Sequence, residues 1–417
     1  MPAAPAPDPP SPPRQGTPVV ACLVVLVALI AGALLLGGRD DADGGAGARA
    51  EAQTTSRAHV ALVSRRVERI RGLRFRRPVR VEVMAPGEVE AFARERMRAE
   101  ASRQETAAFE EVGKLLGWLG PDDDLDRVAD ALYGEQVAGF YDPREERLVL
   151  VRGAGVDDLT LAHELAHALE DQHYDLDALS RRAEEDDDAS AAVTALTEGT
   201  ATRVTSRYLD RHPDALSLGD ALRSLMGSLG ATPLPPAVMR SLVFSYAEGE
   251  RFVDALADLT GDWRLVDHAL RHRPPVSTAE IVDVRRWLRV VRPRPVALAP
   301  GRLLADDRRG PWRRVAGSTL GALDLTELLR PTAGAGGARR LAAGWAGGRY
   351  ELWRRGPLPD PACAAPCRAR DAFVAAVRLE DPAAARAVAG ALAAWVVEEL
   401  DGRRRRDGMW ALPDGAG

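Results

Sequence analysis

The sequence predicts an α+β fold in which a helix carrying a His-Glu-x-x-His pattern lies against a small sheet, preceded by one N-terminal transmembrane helix. Three observations predict it. Residues 161–169 read Leu-Ala-His-Glu-Leu-Ala-His-Ala-Leu, a helical apolar stretch that holds the pattern. Strand-like alternation at residues 79–83 and two further β-rich runs within 136–151 come before it. Residues 19–36 are almost continuously apolar, about the length needed to cross a bilayer as a helix. The rest of the composition fits a globular chain. Its 417 residues are 46% hydrophobic and 28% charged, which excludes wholesale disorder and a multi-span membrane class. The 56 Lys+Arg against 61 Asp+Glu lack the basic excess of a nucleic-acid binder, so no nucleic-acid partner is expected.

Taken in order, residues 1–17 are rich in Pro and Ala and read as a disordered tail. Residues 18–38 are expected to be an uncleaved signal anchor. A cleaved signal peptide ending at Ala31-Gly32-Ala33 is the alternative, but the apolar run continues through Leu34-Leu35-Leu36. The expectation is therefore a single-pass protein of the cell membrane, with the bilayer as a partner and the bulk of the chain extracytoplasmic. Residues 39–57 are a flexible linker, 58–299 the main domain, 300–400 an α+β extension and 401–417 a disordered tail. Within the main domain, helices are expected at 57–71 and 88–119, the second ended by Gly120-Pro121. A hairpin of strands 136–141 and 148–151 turns at Asp142-Pro143-Arg144. Asp157 and Asp158 are available to cap the next helix. The run Glu184-Glu185-Asp186-Asp187-Asp188 reads as a solvated acidic loop, and only weakly as a calcium site. A second helix follows at 191–208. Ser277-Thr278-Ala279-Glu280 is a capping box opening a helix at 281–288, with no catalytic role needed for the serine. The extension is read as a helix at 319–329, strands at 350–353 and 373–379, and a helix at 382–400. Cys363 and Cys367 are more readily a disulfide than a metal site in an oxidising compartment.

The chemistry sits at residues 163–167. Side chains four apart on a helix lie one turn above each other, so His163 and His167 present two imidazoles to one point. Zinc accepts such a pair, and Glu164 beside the first ligand can act on water there. The expected cofactor is Zn²⁺. A catalytic zinc needs a third protein ligand. Glu198, in Ala-Leu-Thr-Glu-Gly-Thr-Ala, is favoured, since small Gly199 and Ala201 would let its helix approach the first closely. His173 is the alternative, although no glycine at 170 turns the chain back toward the metal. Asp171 could orient a ligand imidazole. Tyr246, His268, His272 and Tyr208 are candidate donors to an oxyanion.

His163 to Gln172 followed by Glu198 resembles the arrangement of gluzincin-type zinc metallopeptidases. More specifically, the chain is similar to a poorly characterised set of predicted bacterial metallopeptidases, membrane-anchored or secreted. The likeness extends to Gly139-Phe140-Tyr141-Asp142-Pro143, the stretch 246–253, Pro274-Pro275-Val276-Ser277-Thr278 and Ala342-Ala343-Gly344-Trp345. Glu170, Asp283, Val284 and Gly348 depart from that set's pattern. The resemblance implies a zincin-like catalytic domain with His163, His167 and Glu198 as zinc ligands and Glu164 as general base, hydrolysing bonds in a peptide or protein substrate. The alternative is a non-catalytic extracytoplasmic binding or scaffold module that retains the fold.

Overall fold

The computed structural model describes residues 57–411, apart from 101–102, 126, 129–137, 154–155, 214–233, 301–310, 357–366, 368–369 and 405–409. The order begins with α1 (Arg57–Arg71), β1 (Arg80–Met84), α2 (Pro86–Glu100) and α3 (Arg103–Leu115). The hairpin β2 (Gly139–Asp142) and β3 (Arg147–Val151) follows, then α4 (Asp158–Tyr174), α5 (Leu176–Ala183) and α6 (Asp187–Arg211). Next come α7 (Pro236–Thr260), α8 (Arg264–Arg271), α9 (Thr278–Val282) and α10 (Val284–Leu288). The chain continues with β4 (Arg313–Ser318), α11 (Ala322–Ala342), β5 (Trp345–Arg354), β6 (Asp371–Leu379) and α12 (Pro382–Glu398), ending in the short pair β7 (Arg403–Arg404) and β8 (Trp410–Ala411).

The expectation of an N-terminal transmembrane helix is corrected here. No helix among the described residues is long and apolar enough to cross a membrane. The stretch 18–38 on which the expectation rested lies outside them, as do the predicted tail 1–17 and all but the last residue of the linker 39–57. The described residues are mixed helix and small sheets without a spanning element, and a single-pass membrane location is not supported. Inside the domain, the predicted helix 88–119 is two helices that end at Leu115, short of the Gly-Pro pair. The predicted helix 281–288 is also two, because Asp283 leaves the helical region at φ −127° and caps Arg285 with its own carboxylate. Ser277 caps α9 as the box predicts, and Glu280 accepts from the Val276 N–H at 2.8 Å. Cys367 is buried and disulfide-bonded, while Cys363 lies outside the described residues.

Two sheets frame the helices. In the first, β3 is central, antiparallel to β2 and parallel to β1, which requires the crossover through α2 and α3. The second is antiparallel, in the order β4-β5-β6. The hairpin strands are buried along their whole length, so they lack the alternation of a half-exposed sheet. One apolar cluster joins Phe140 and Val149 of the first sheet to Leu320, Tyr350 and Leu352 of the second region, so residues on both sides of position 300 share a core. A second cluster packs α1, the hairpin and α6 around α4. α1 contributes Val60, Val63, Val67 and Ile70, the spacing of one helical face.

α6 and α7 meet at almost bare backbone. A Cβ on Gly199 would lie 2.2 Å from the carbonyl carbon of Gly249, and one on Gly249 would lie 2.1 Å from the Ala195 oxygen. Gly199 therefore serves the contact with α7, not the approach to α4 read from the sequence. On the α4 side the small residue is Ala201, fully buried with Val204 and Tyr208.

The acidic run at 184–188 is not a solvated loop. Asp186 caps α6, and Asp187 and Asp188 are buried in its first turn. Asp187 accepts from the Tyr350 hydroxyl at 2.8 Å. Asp188 accepts from the Thr278 N–H at 3.0 Å and from its hydroxyl, which in turn accepts from the Leu323 N–H. These bonds pin the start of α6 to α9, α11 and β5. Burial holds the proton on Asp188, and burial with the charges of Asp186 and Glu327 pushes Asp324 up to about 6.

Two outcomes follow from these contacts. Gly249→Ala should destabilise the fold by at least about 1–3 kcal/mol in urea unfolding, because backbone atoms cannot yield as a side chain would. Gly87→Ala, where a Cβ meets nothing within 4 Å, is its neutral control. The folded pKa of Asp324 lies above the 3.8 of an ordinary aspartate, so the folded state binds the proton more tightly than the unfolded chain. Its unfavourable contribution is absent below about pH 4 and grows as pH rises through about 6. Asp324→Asn, which retains an acceptor for the Gly321 N–H, should raise the thermal midpoint at pH 8 and leave it nearly unchanged at pH 4.

Candidate metal centre

α4 begins where Asp157, in extended conformation, accepts the Thr160 N–H at 2.7 Å. It ends at Asp175, which adopts a left-handed conformation at φ 55° and then caps α5. Between these stops the helix is buried on nearly every side. His163 is 2% exposed, Glu164 1% and His167 7%. Such groups are costly in a core unless each finds a partner.

The partners come from α6, the hairpin and α1. His163, His167 and Glu198 form a cluster in which one ligand atom from each lies within 4.8 Å of the others. The two histidine Nε2 atoms are 3.1 Å apart, and the Glu198 Oε2 is 3.3 Å from that of His163 and 3.6 Å from that of His167. Donor atoms on a tetrahedral ion with bonds of about 2.0–2.1 Å sit about 3.3 Å apart. The three separations bracket that value, so two imidazoles and a carboxylate face one point with the spacing of three corners of a tetrahedron.

Charge in the cluster is settled between the same groups. Burial works against a charged ring and lowers His163. Burial opposes the charge of His167 as well, but the Glu198 carboxylate outweighs it and raises that ring to about 9. Glu198 is buried too, yet the imidazoles hold it down at about 2, so it stays a carboxylate. A proton on His167 facing Glu198 thus occupies the place a cation would take.

Glu164 is held at one oxygen only. Its Oε2 accepts the Tyr141 N–H of β2 at 2.7 Å, while Oε1 is buried without a hydrogen-bond partner. Burial raises this carboxyl to about 8. The Tyr246 ring of α7 stands 6.1 Å from that of His163, and its hydroxyl is likewise buried and unpartnered. Burial and the neighbouring carboxylates keep that hydroxyl protonated. Two orphaned polar atoms beside a three-ligand cluster are the marks of a site built for something polar.

The other sequence candidates lie elsewhere. His173 bonds the Arg74 carbonyl at 2.8 Å and is no part of the cluster. His268 and His272 are exposed, their rings tilted against each other with centroids 5.4 Å apart, and His268 is edge-on to Trp287. Neither is placed to stabilise an oxyanion at the cluster. The Tyr208 hydroxyl is engaged by Arg66 and Asp158. Asp171 accepts from the Tyr141 hydroxyl at 2.8 Å and from the Leu176 N–H, rather than from a ligand imidazole. Sequence reasoning missed Tyr141, whose N–H and hydroxyl fix two acids of α4, although its Gly-Phe-Tyr-Asp-Pro context had been noticed. It also missed Thr205, whose hydroxyl lies 3.5 Å from the His163 Nδ1.

Behind the cluster a buried ion pair locks α4 to its neighbours. The Arg71 Nε donates to Glu170 at 2.6 Å, and its Nη2 donates to Asp267 at 2.6 Å. The second oxygen of Glu170 accepts from Thr200, two residues past Glu198. The guanidinium stacks on Trp263 at 4.3 Å.

No family model matches the chain, and no curated protein matches it. Among solved structures it is similar to a Chloroflexus aurantiacus protein provisionally described as a hydrolase with a novel fold. The match has 20% identity and covers 64% of this chain and 97% of that one, at a TM-score of 0.39. A likeness this low assigns neither fold nor activity.

Arg71→Met should destabilise the protein by about 3–5 kcal/mol in urea unfolding, because it leaves Glu170 charged and buried. Arg71→Met/Glu170→Met should recover most of that loss, and a double variant as unstable as the single one would show that the pair is not the cause.

Proposed function

We propose that this chain is a zinc-dependent hydrolase of peptide bonds. The observation that carries the reading is the ligand spacing: the buried residues His163, His167 and Glu198 present three donor atoms 3.1–3.6 Å apart. Nitrogen and carboxylate donors in this number suit a catalytic zinc, which keeps its fourth position open. Zinc held there supplies a Lewis acid that makes water a better nucleophile at neutral pH and polarises a carbonyl.

The rest of the work falls to the chain. Glu164, held by the Tyr141 N–H at one oxygen, keeps the other free to take a proton from the attacking water. A carboxylate so held is placed to act as a general base. The same carboxyl returns the proton to the leaving amine. The Tyr246 hydroxyl, without a hydrogen-bond partner among the described residues, is available to donate to the oxyanion that forms as the carbonyl is attacked. Metal uptake must displace the proton on His167, so affinity should fall as pH is lowered.

Metal content by mass spectrometry on the purified full chain tests the reading first. The expected result is about one zinc per chain, lost in His163→Ala/His167→Ala. Glu198→Ala should weaken zinc binding by more than about tenfold, and His173→Ala should change nothing. Glu164→Gln should keep the metal and slow cleavage of a peptide library by about 10²–10⁴. A folded, reconstituted sample without zinc overturns the proposal, and a zinc-loaded chain that cleaves nothing is a binding module instead.

A further inference from the structure

A cleft of about 550 Å³ opens on the side of α7 away from the metal cluster, between α7, the α9–α10 corner and α11. That volume is in the range of ligand sites. Val243 and Ala247, one helical turn apart, line it, whereas Tyr246 sits about 100° round the helix toward His163. The walls include Ala247 and Glu248 of α7, the helix opened by the Ser277 cap, and the Ala342-Ala343 stretch.

Charge and apolarity are combined there. Five arginines and three acids line the cleft, and one of the arginines, Arg286, pairs with Glu380 outside it. Glu327, almost fully buried, receives both Arg240 at 2.5 Å and Arg330 at 2.8 Å, which leaves one positive charge over at that end. Asp283 is matched by Arg285, and Glu248 also pairs with Arg251. Arg339 is exposed and pairs with no acid among the described residues. Beside these cations Val243 is 45% exposed and Val282 54%. A small inorganic anion would leave those valines in water, whereas a chain carrying both carboxylates and aliphatic side chains would cover them.

We propose that this cleft is an exosite for an acidic, aliphatic stretch of the polypeptide substrate, a role that rests on the peptidase reading above. Both places lie along α7, the cleft beside Val243 and Ala247 and the cluster beside Tyr246. A helix is about 10–12 Å across and an extended strand advances about 3.3 Å per residue, so three or four residues pass over α7. Carboxylates on the bound stretch would meet the excess charge at Arg240–Glu327–Arg330 and at Arg339, and its aliphatic side chains would cover Val243 and Val282.

The test is fluorescence anisotropy with the full chain and two end-blocked labelled peptides. One is built of alternating Glu/Asp and Val/Leu, and the other carries Gln/Asn in place of the acids. The acidic probe should bind about tenfold more tightly, with the preference falling as salt rises. Arg339→Glu and Val243→Asp, both at exposed positions, should each remove most of that preference while zinc content and thermal midpoint stay unchanged. Equal binding of the two probes, or a preference that survives both substitutions, overturns the exosite. The two readings fail separately. A preference in a chain that cleaves no peptide leaves the cleft assigned and sinks only the peptidase, whereas cleavage without a preference sinks only the exosite.

Discussion

The structure depends on the cost of burying a helix that is polar along one side. α4 enters the core carrying His163, Glu164, His167, Glu170, Asp171 and Gln172, all less than a tenth exposed. None can be left without a partner at a cost the fold would tolerate. Each neighbouring element therefore brings something specific to it. The hairpin brings the Tyr141 N–H and hydroxyl, α1 brings Arg71, and α6 brings Glu198 and Thr200. The Gln172 side chain reaches the backbone of residues 76 and 77. Beside the ligand cluster Oε1 of Glu164 and the Tyr246 hydroxyl are left over, as the Thr160 hydroxyl and Arg71 Nη1 are elsewhere along α4.

α6 answers to two neighbours at once, and its glycine decides how. Successive residues on a helix point about 100° apart, so Glu198 can face α4 while Gly199 faces α7. The backbone contact at Gly199 and Gly249 brings α7 close enough for Tyr246 to stand against His163. Rotating α6 to seat a side chain at 199 would swing Glu198 away from the imidazoles. The acids of its first turn fix its start, tying α6 to α9, α11 and β5 through Thr278 and Tyr350. The spacing of the cluster is thus set by packing at the middle and the first turn of a helix that contributes one carboxylate.

Much of this was legible where period and chemistry coincide. Four-residue spacing placed His163 and His167 together, and small residues around Glu198 marked a helix made for close packing. What stayed hidden depends on long-range pairing. Asp186, Asp187 and Asp188 look like a solvated run because charge on the page says nothing about Thr278 or Tyr350 arriving from more than 80 residues away. His268 and His272 share the spacing of the ligand pair, yet they sit on the outer face of α8 with no carboxylate brought to them. The membrane segment was read from composition alone, and no described helix takes that part. Tyr141 carried no signal by itself, since a backbone donor is invisible until its strand is placed.

Glu170 shows how a departure from an expected pattern is absorbed. Another carboxylate one turn from His167 adds negative charge beside a cluster that already holds Glu164 and Glu198. An amide there could have met Thr200 without any cation. The acid instead recruits Arg71, and the guanidinium is completed by Asp267 and the Trp263 face. The three elements α1, α4 and α8 are joined by this one chain of charge, which runs on the side of α4 opposite the hairpin. Since two charges buried together are costly to separate, α4 has little freedom to turn about its axis. The orientation of the two imidazoles then follows from a residue that touches neither.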